Sequence, residues 1–152
     1  MDKKLGVSKA FPDTLWRYVK PSWLDSSGSL LPYCFDLRSE PPEEYVSFFE
    51  GQGETEQQML SSVIGALALS RFVLKETGRI LSIDPQHACR LINCPVPIIE
   101  FKDQRRPHFG MFYLIEDEPS RLEAKNILSQ IVSLHGLKGR VCTNRGIAAL
   151  PS

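Results

Sequence analysis

Residues 95–115 read PVPIIEFKDQRRPHFGMFYLI, and this stretch decides the fold. The runs PVPIIEF and HFGMFYLI are rich in β-branched and aromatic residues, which predicts two β-strands. The polar run KDQRRP between them predicts the connection of a β-hairpin with a longer loop. The strands paired in this way call for helices that cover their apolar faces.

A long helix is predicted upstream of this hairpin. Thr55 and Gln58 have the spacing of a capping box. Apolar residues recur after them at helical intervals, and Gly78 is a natural stop. Downstream, Ser120 and Glu123 form a second capping box, which opens a helix predicted to run to about His135.

Other elements fill the rest of the sheet and its surroundings. Residues 14–20, 44–50 and 78–83 predict strands, whereas Pro32 makes residues 30–37 an edge strand or an irregular segment. Asp84 before Pro85 predicts the start of a short helix. We therefore expect an α+β fold, with a mixed, mostly antiparallel sheet and two main helices packed on it. Residues 1–12 are expected to form a flexible leader, and residues 13–152 a single domain.

The composition narrows the function classes. The chain has 152 residues, and its 18 basic side chains balance its 18 acidic ones. Its first half, residues 1–76, carries a net charge of −3 and its second half +3. This balance does not favour a wholly basic nucleic-acid binder. Without an apolar run of about 18 residues or an apolar signal region, we expect a cytoplasmic protein that does not enter membranes. Its four cysteines are then reduced thiols.

Common catalytic and metal-binding motifs were not found. The sequence has no phosphate-binding glycine loop, no zinc-protease motif and no paired CxxC. His87, Cys89 and Cys94 lie close together, but their spacing does not match that of a structural zinc site. We therefore predict neither a metal nor a cofactor.

Three scattered residues are candidate catalytic residues. Arg17 and Ser47 lie on predicted strands, and His108 begins another. ADP-ribosyltransferase-like sites use an arginine or histidine, a serine or tyrosine and a glutamate on neighbouring strands, so an enzyme of this kind is one hypothesis. The carboxylate would come from Glu44, Glu50 or Glu100. The alternative for Arg17 is a structural salt bridge, because burying an unpaired guanidinium is costly.

A second set of residues is a candidate anion-binding site, with a phosphate-containing ligand as its partner. Loops often present functional groups, and several donors here fall in or next to one loop. They are Lys102, Arg105, Arg106 and His108. The alternative is a solvated hairpin tip whose charges protect a sheet edge.

An acidic stretch is the candidate site for a protein partner. It comprises Asp36, Glu40, Glu43 and Glu44. Charge complementarity between proteins mainly sets the association rate and specificity, so a basic partner surface is expected here.

Several short features together resemble a group of small uncharacterised bacterial proteins from mobile-element or host-conflict settings. They are Arg17, Gly28, Cys34-Phe35, Val46-Ser47, Pro107-His108 and Glu123-Ala124-Lys125. The resemblance spans about residues 14–132 and implies a bacterial cytoplasmic setting, beside a toxin, nuclease or defence effector. It implies no catalytic residues.

Two functions follow as hypotheses. The first is a partner-binding protein, meaning an immunity protein, an antitoxin or an accessory subunit that acts by protein–protein contact. The second is an enzyme or effector that acts on a nucleotide or nucleic acid. A homo-oligomer with no chemistry of its own is a third, weaker alternative.

Overall fold

The computed structural model describes residues 11–39, 42–69 and 74–137, and the backbone of residues 142–143 and 146–147. Six strands form the main sheet: β1 Leu15–Val19, β2 Val46–Glu50, β3 Arg79–Ile83, β4 Ile99–Arg105, β5 His108–Tyr113 and β6 Ser133–Gly136. Two short strands, β7 Cys142–Thr143 and β8 Gly146–Ile147, pair with each other. The helices are α1 Glu56–Leu69, α2 Pro85–Ile92 and α3 Glu118–Ile131.

The six-stranded sheet has the order β4-β5-β2-β1-β3-β6. Its neighbouring strands all run antiparallel. The predicted α+β fold is therefore confirmed, with α2 as a third helix beside the two longer ones.

The sheet is covered on both faces. On one, which we call the α2/α3 face, Phe48 and Phe109 are buried in a cluster with Ala88 of α2 and Leu128 of α3. On the other, the α1 face, Trp16 and Tyr18 of β1 lie in a second cluster, and α1 contributes residues at helical spacing. Those from α1 are Leu60, Val63, Ile64, Leu67 and Ala68. Because side chains alternate along a strand, β1, β2 and β3 supply buried residues to both cores, whereas the buried residues of β4 and β5 belong to the α2/α3 face.

Side-chain caps fix where two of the helices begin. The Gln58 amide donates to Thr55 Oγ1 at 3.1 Å, and the Thr55 amide donates to Gln58 Oε1 at 3.2 Å, so the first predicted capping box is confirmed. Asp84 Oδ1 accepts from the amides of Gln86 and His87, which confirms the predicted start of α2. The stop predicted for α1 at Gly78 is too late, because α1 ends at Leu69 and the chain from Leu74 onward forms a turn into β3.

The second predicted capping box is wrong. Asp117, not Ser120, is the N-cap of α3, and its carboxylate accepts from the Ser120 amide at 3.0 Å. The helix also ends at Ile131, four residues before the predicted end at His135. Residues 133–136 instead form β6, because Leu134 and His135 pair with β3 of the sheet. This long-range pairing overrides the local helical pattern.

The predicted hairpin is confirmed, but its connection is shorter than expected. β4 continues through the polar residues to Arg105, and only Arg106 and Pro107 lie between the two strands. The pairing has an irregularity between Asp103 and Arg105, where the register shifts. Most of the predicted loop is therefore strand, stabilised by its ladder with β5.

Two other segments can be placed. Residues 30–37 contain a 3₁₀ turn, Pro32–Phe35, which buries Cys34 and Phe35 under the α2/α3 face, so the irregular alternative is the one observed. The predicted leader falls mostly on residues 1–10, outside the described part of the chain. Phe11 within it packs edge-to-face on Phe109, with ring centroids 5.3 Å apart.

Candidate functional site

A groove lies between α2 and the outer edge of β4, and we call it the edge groove. Its volume is about 530 Å³. Its lining is partly apolar, from Phe11, Cys89, Ile99, Phe101 and Leu114, and partly polar, from Gln86, Arg90, Asn93 and Glu100. β4 is the outermost strand of the sheet on this side, so the groove runs beside backbone that no described strand covers.

The backbone of β4 presents hydrogen-bonding groups toward this groove. The amide of Leu114 donates to the Ile98 carbonyl at 2.8 Å, so Ile98 and Leu114 form a pair that is hydrogen-bonded through this carbonyl, while the Ile98 amide bonds to Asn93. In an antiparallel ladder such pairs alternate with pairs whose N–H and C=O point away. Ile99, Phe101 and Asp103 therefore direct these groups to the outer edge.

Asn93 already satisfies the first of these positions. Its side-chain Nδ2 donates to the Ile99 carbonyl at 2.8 Å, and its Oδ1 accepts from the Ile99 amide at 2.9 Å. The same Oδ1 accepts from the Ile98 amide at 2.7 Å. The carboxamide thus replaces a neighbouring strand at Ile99 and leaves the outward groups of Phe101 and Asp103 as the part of the edge that can pair. Of these groups, the Asp103 carbonyl already accepts one long hydrogen bond, 3.4 Å, from Gln104 Nε2.

Large apolar side chains are exposed around the edge groove. Leu114 is 45% exposed, Phe11 39% and Val96 52%. Leu114 and Phe11 line the groove itself, and Val96 lies on the segment that leads into β4. Clustered exposed apolar groups, unlike scattered ones, mark interaction surfaces.

Cys89 in the groove is a packing group. Burial, with the nearby Glu100 carboxylate as a second cause, raises the pKa of the Cys89 thiol. A thiol whose pKa is raised stays protonated at neutral pH and is a poor nucleophile. Cys89 therefore contributes apolar surface to the edge groove and not an activated nucleophile.

A second concave region, the β1–β2 cleft, contains two of the predicted catalytic residues. The pairing of β1 with β2 covers only Leu15 and Trp16 of β1, and the strands separate beyond them. Arg17 and Ser47 both line the resulting cleft, together with Trp23, Tyr33, Arg38 and Glu43 among others.

The guanidinium of Arg17 is bound to backbone carbonyls inside this cleft. Nη1 donates to the Ser47 carbonyl at 2.9 Å. Nε and Nη2 donate to the Cys34 carbonyl at 3.3 and 3.1 Å. Its carbon Cζ lies 5.1 Å from the ring centroid of Trp23. Arg17 therefore connects β1, β2 and the 3₁₀ turn. These carbonyls take the place of the carboxylate expected in the predicted salt bridge, and no ligand is needed to explain the position of the side chain.

His108 is separate from Arg17. Its cross-strand neighbour is Phe49, and the two rings stack with centroids 5.3 Å apart on the α1 face. Arg17 lies on the α2/α3 face, because the β1 residues on either side of it face α1. Burial lowers the pKa of His108. The three candidate catalytic residues thus do not meet in one pocket of the described structure.

The four candidate anion-binding residues are engaged separately. Arg106 Nε donates to Glu50 Oε1 at 2.8 Å, and Nη2 pairs with Oε2 at 2.5 Å. Lys102 Nζ lies 3.7 Å from Glu100 Oε1 and 5.1 Å from the centroid of the Phe112 ring. Arg105 is exposed at the end of β4, and His108 is stacked on Phe49 as described above. The Glu50 carboxylate therefore occupies the donors of the Arg106 guanidinium that an anionic ligand would need.

The acidic stretch is partly neutralised within the chain. Asp36 pairs with Lys125 at 2.6 Å, and Glu43 pairs with Arg38 at 3.6 Å. Glu44 is exposed, and Glu40 lies outside the described residues. The surface offered to a basic partner is therefore weaker in charge than the sequence suggests.

Sequence reasoning missed the edge groove. The apolar residues of β4 were predicted, but which strand is outermost depends on the strand order, which no local pattern specifies. Asn93 after a short helix and before a strand was the available signal, because asparagine often bonds to nearby backbone.

Comparisons with known proteins give no relative: no protein-family model matches the chain, and neither does any curated protein or solved structure. Among the described residues, no helix is long and apolar enough to cross a membrane. The same residues contain no group of three or more histidine, cysteine or acidic side chains that could hold a metal ion.

Proposed function

We propose that this chain is a partner-binding protein that receives an extended, apolar segment of another protein in the edge groove. The observation that carries the proposal is the combination of outward backbone groups at Phe101 and Asp103 with the apolar lining beside them. An added strand supplies main-chain hydrogen bonds, and pockets along the edge select alternate side chains.

The chemistry of the edge groove specifies the segment. The outward N–H and C=O of Phe101 and Asp103 need a backbone in the extended conformation. Side chains on the groove side of that backbone lie against Phe101 and Leu114, so they are expected to be apolar. The segment is short, since Asn93 and the irregularity after Asp103 bound the edge.

A second copy of the chain fits this edge less well. In the antiparallel self-pairing that joins Phe101 to Asp103 of the other copy, Lys102 lies directly opposite its own counterpart. Like charges in that position are destabilising. A segment from a different protein therefore suits the edge better than a homo-oligomer does.

The setting we propose is that of an immunity protein, an antitoxin or an accessory subunit in a bacterial cytoplasm. The support for this is the resemblance of the sequence to proteins from host-conflict settings. In such a role the bound segment would belong to a toxin or defence effector. Co-expression of this chain with a toxic effector from a neighbouring gene would then relieve the toxicity of the effector.

The binding proposal is tested by selecting peptides from a displayed random library against the full chain. We expect enrichment of peptides with apolar residues at alternating positions. Leu114→Glu should weaken binding of the best peptide at least tenfold. Leu122→Glu is the matched control, because Leu122 is 54% exposed on α3, and it should bind as the wild type does.

Asp103→Pro gives a second, independent variant. It removes an outward N–H without removing a bond to β5, and proline is tolerated at such edge positions. We expect weaker peptide binding with an intact fold by circular dichroism. The proposal is overturned if no peptide is enriched, or if Leu114→Glu and Asp103→Pro both bind like the wild type.

A further inference from the structure

A serine, a histidine and a glutamate form a row on the α1 face, in which the histidine lies between the other two. The row is at the opposite end of the sheet from the edge groove. Ser82 Oγ lies 2.9 Å from His135 Nε2. His135 Nδ1 lies 3.9 Å from Glu56 Oε1. The three residues come from β3, β6 and the first turn of α1, so the fold brings together groups that are far apart in the chain.

The sheet register holds the serine and the histidine in place. His135 is the cross-strand partner of Ile80, and Ser133 is the partner of Ser82. Side chains two residues apart on a strand share a face, so Ser82 and His135 are diagonal neighbours. The predicted helix through residue 135 concealed this pair, because only a strand at residues 133–136 brings His135 to β3.

The exposed fraction increases from the serine to the histidine to the glutamate. Ser82 is 9% exposed, the His135 side chain 16% and the Glu56 side chain 71%. The serine oxygen is therefore largely shielded from bulk water, while the glutamate is solvated and charged at the rim. Ser133, the cross-strand partner of Ser82, is exposed.

Trp16 adds a hydrogen-bond donor to this region. It lies directly opposite Ser82 on β1, and its ring centroid is 5.2 Å from that of His135. Trp16 is 1% exposed, and its Nε1 has no hydrogen-bond partner among the residues that the structure describes. Buried donors are nearly always satisfied, so an N–H of this kind needs an explanation. A bound carbonyl oxygen would supply the acceptor once a movement of the Trp16 ring exposes this nitrogen, which is buried in the structure.

We propose that Ser82, His135 and Glu56 form a nucleophile, a general base and a positioning carboxylate that hydrolyse small carboxylic esters. The proposal is independent of partner binding at the edge groove. The spacing of the serine and histidine meets the hydrogen-bond reach expected of an activated nucleophile. The limited exposure of Ser82 restricts the acyl group to a short one such as acetyl.

The acylation step uses the histidine as it is oriented here. With Nδ1 protonated toward Glu56, Nε2 accepts the Ser82 hydroxyl proton while Oγ bonds to the ester carbonyl carbon. The carbonyl electron pair moves to its oxygen, to which the Trp16 N–H donates. Collapse of this intermediate breaks the ester C–O bond, and the leaving alkoxide takes the proton from Nε2.

Water completes the cycle. It gives a proton to Nε2 and attacks the acyl carbon, and the ester bond to Ser82 Oγ breaks. Oγ recovers the proton from Nε2, and the carboxylic acid is released. No oxidant, reductant or metal enters either step.

A fluorophosphonate probe, which modifies activated serines, tests the proposal on the full chain, with p-nitrophenyl acetate as the substrate. We expect intact-mass and peptide mapping to place the probe on Ser82. Ser82→Ala should abolish labelling and p-nitrophenol release, and His135→Gln should slow labelling at least a hundredfold. Ser133→Ala, a neighbouring serine, is the matched control and should label at the wild-type rate.

Glu56 is tested as a positioning residue. Glu56→Gln should slow labelling about tenfold, and Glu56→Asp should restore part of the rate. The Glu56 side chain is exposed, so the fold is expected to persist in both variants. The proposal is overturned if the folded wild type is not labelled, if the probe modifies another serine, or if Ser82→Ala keeps its esterase rate. Should His135→Gln not fold, labelling at Ser82 and its dependence on Glu56 decide the question.

Discussion

Arg17 and Ser47 lie on neighbouring strands, and they are joined by a hydrogen bond from the Arg17 guanidinium to the Ser47 backbone carbonyl, 2.9 Å long. The bond spans the place where β1 and β2 separate. Together with two bonds to the Cys34 carbonyl, it makes Arg17 the link between the split sheet and the 3₁₀ turn.

Arg17→Met should therefore destabilise the fold rather than leave it unchanged. Hydrogen bonds that involve a charged group are worth about 1.5–3 kcal/mol each, and the methionine leaves two carbonyls unsatisfied. We expect a loss of about 2–3 kcal/mol in the free energy of unfolding, measured by urea denaturation. Lys20→Met is the control: Lys20 is exposed and its ammonium lies 5.2 Å from the Trp23 ring centroid, so its loss should change stability by less than about 1 kcal/mol. Equal stability of the two variants would show that the bonds to Arg17 contribute little.

The ion pair between Glu50 and Arg106 should couple more strongly than a surface pair. Its side chains are only 15% and 20% exposed, and its geometry is bidentate. The hydrogen bond to Glu50 raises the pKa of Arg106. A double-mutant cycle with Glu50→Gln and Arg106→Gln should give a coupling energy of about 1–3 kcal/mol. The same cycle on the half-exposed pair Glu100 and Lys102 should give less than about 1 kcal/mol. Similar values for both pairs would contradict this.

His108 should make the protein less stable in mild acid. Its pKa is lowered by burial, so the unfolded chain, whose histidine titrates near about 6.5, takes up a proton more readily than the folded one. Stability is complete above that pH and is lost as the pH falls from there through the folded pKa. The unfolding temperature of the wild type should drop more between about pH 7.5 and 5 than that of His108→Phe.

The control for this pH dependence is His87→Gln, which replaces an exposed histidine on α2. It should keep the pH dependence of the wild type. If His108→Phe shows the same acid-induced drop as the wild type, another group is responsible for it.

Asn93→Ala should loosen the start of β4. The substitution removes three hydrogen bonds to the Ile98 and Ile99 backbone. Neutral bonds contribute about 1 kcal/mol each, so we expect a loss of about 2–3 kcal/mol and faster amide exchange at Ile99. Asn126→Ala, an exposed asparagine on α3, is the control and should have almost no effect. Unchanged protection of the Ile99 amide would refute the role given to Asn93.

Much of the fold could be predicted from the sequence, because local signals and the final structure agree there. The alternation of Trp16 and Tyr18 against Leu15 and Arg17 matches the two cores, and Asp84 caps α2 as its sequence suggests. The end of the last helix could not be predicted, since the pairing of His135 with Ile80 joins residues 55 positions apart.

The candidate sites were harder to predict for the same reason. Arg17 was singled out as an arginine on an apolar strand, but its partners are backbone carbonyls, which carry no sequence signature. Arg106 was predicted to bind an anionic ligand, but the carboxylate that it binds is that of Glu50 on β2, far from it in the sequence. Ser82 and His135 had no local motif at all, because their contact depends on the register of β3 with β6.

The side-chain bonds of Asn93 to Ile99 have a consequence for behaviour at high concentration. An outermost strand with a long run of unpaired backbone is a template for open-ended aggregation. Here the run is closed at one end by a carboxamide and at the other by the register shift after Asp103. We therefore expect the protein to resist edge-to-edge aggregation better than one with a longer exposed edge, and Asn93→Ala to lower its solubility limit.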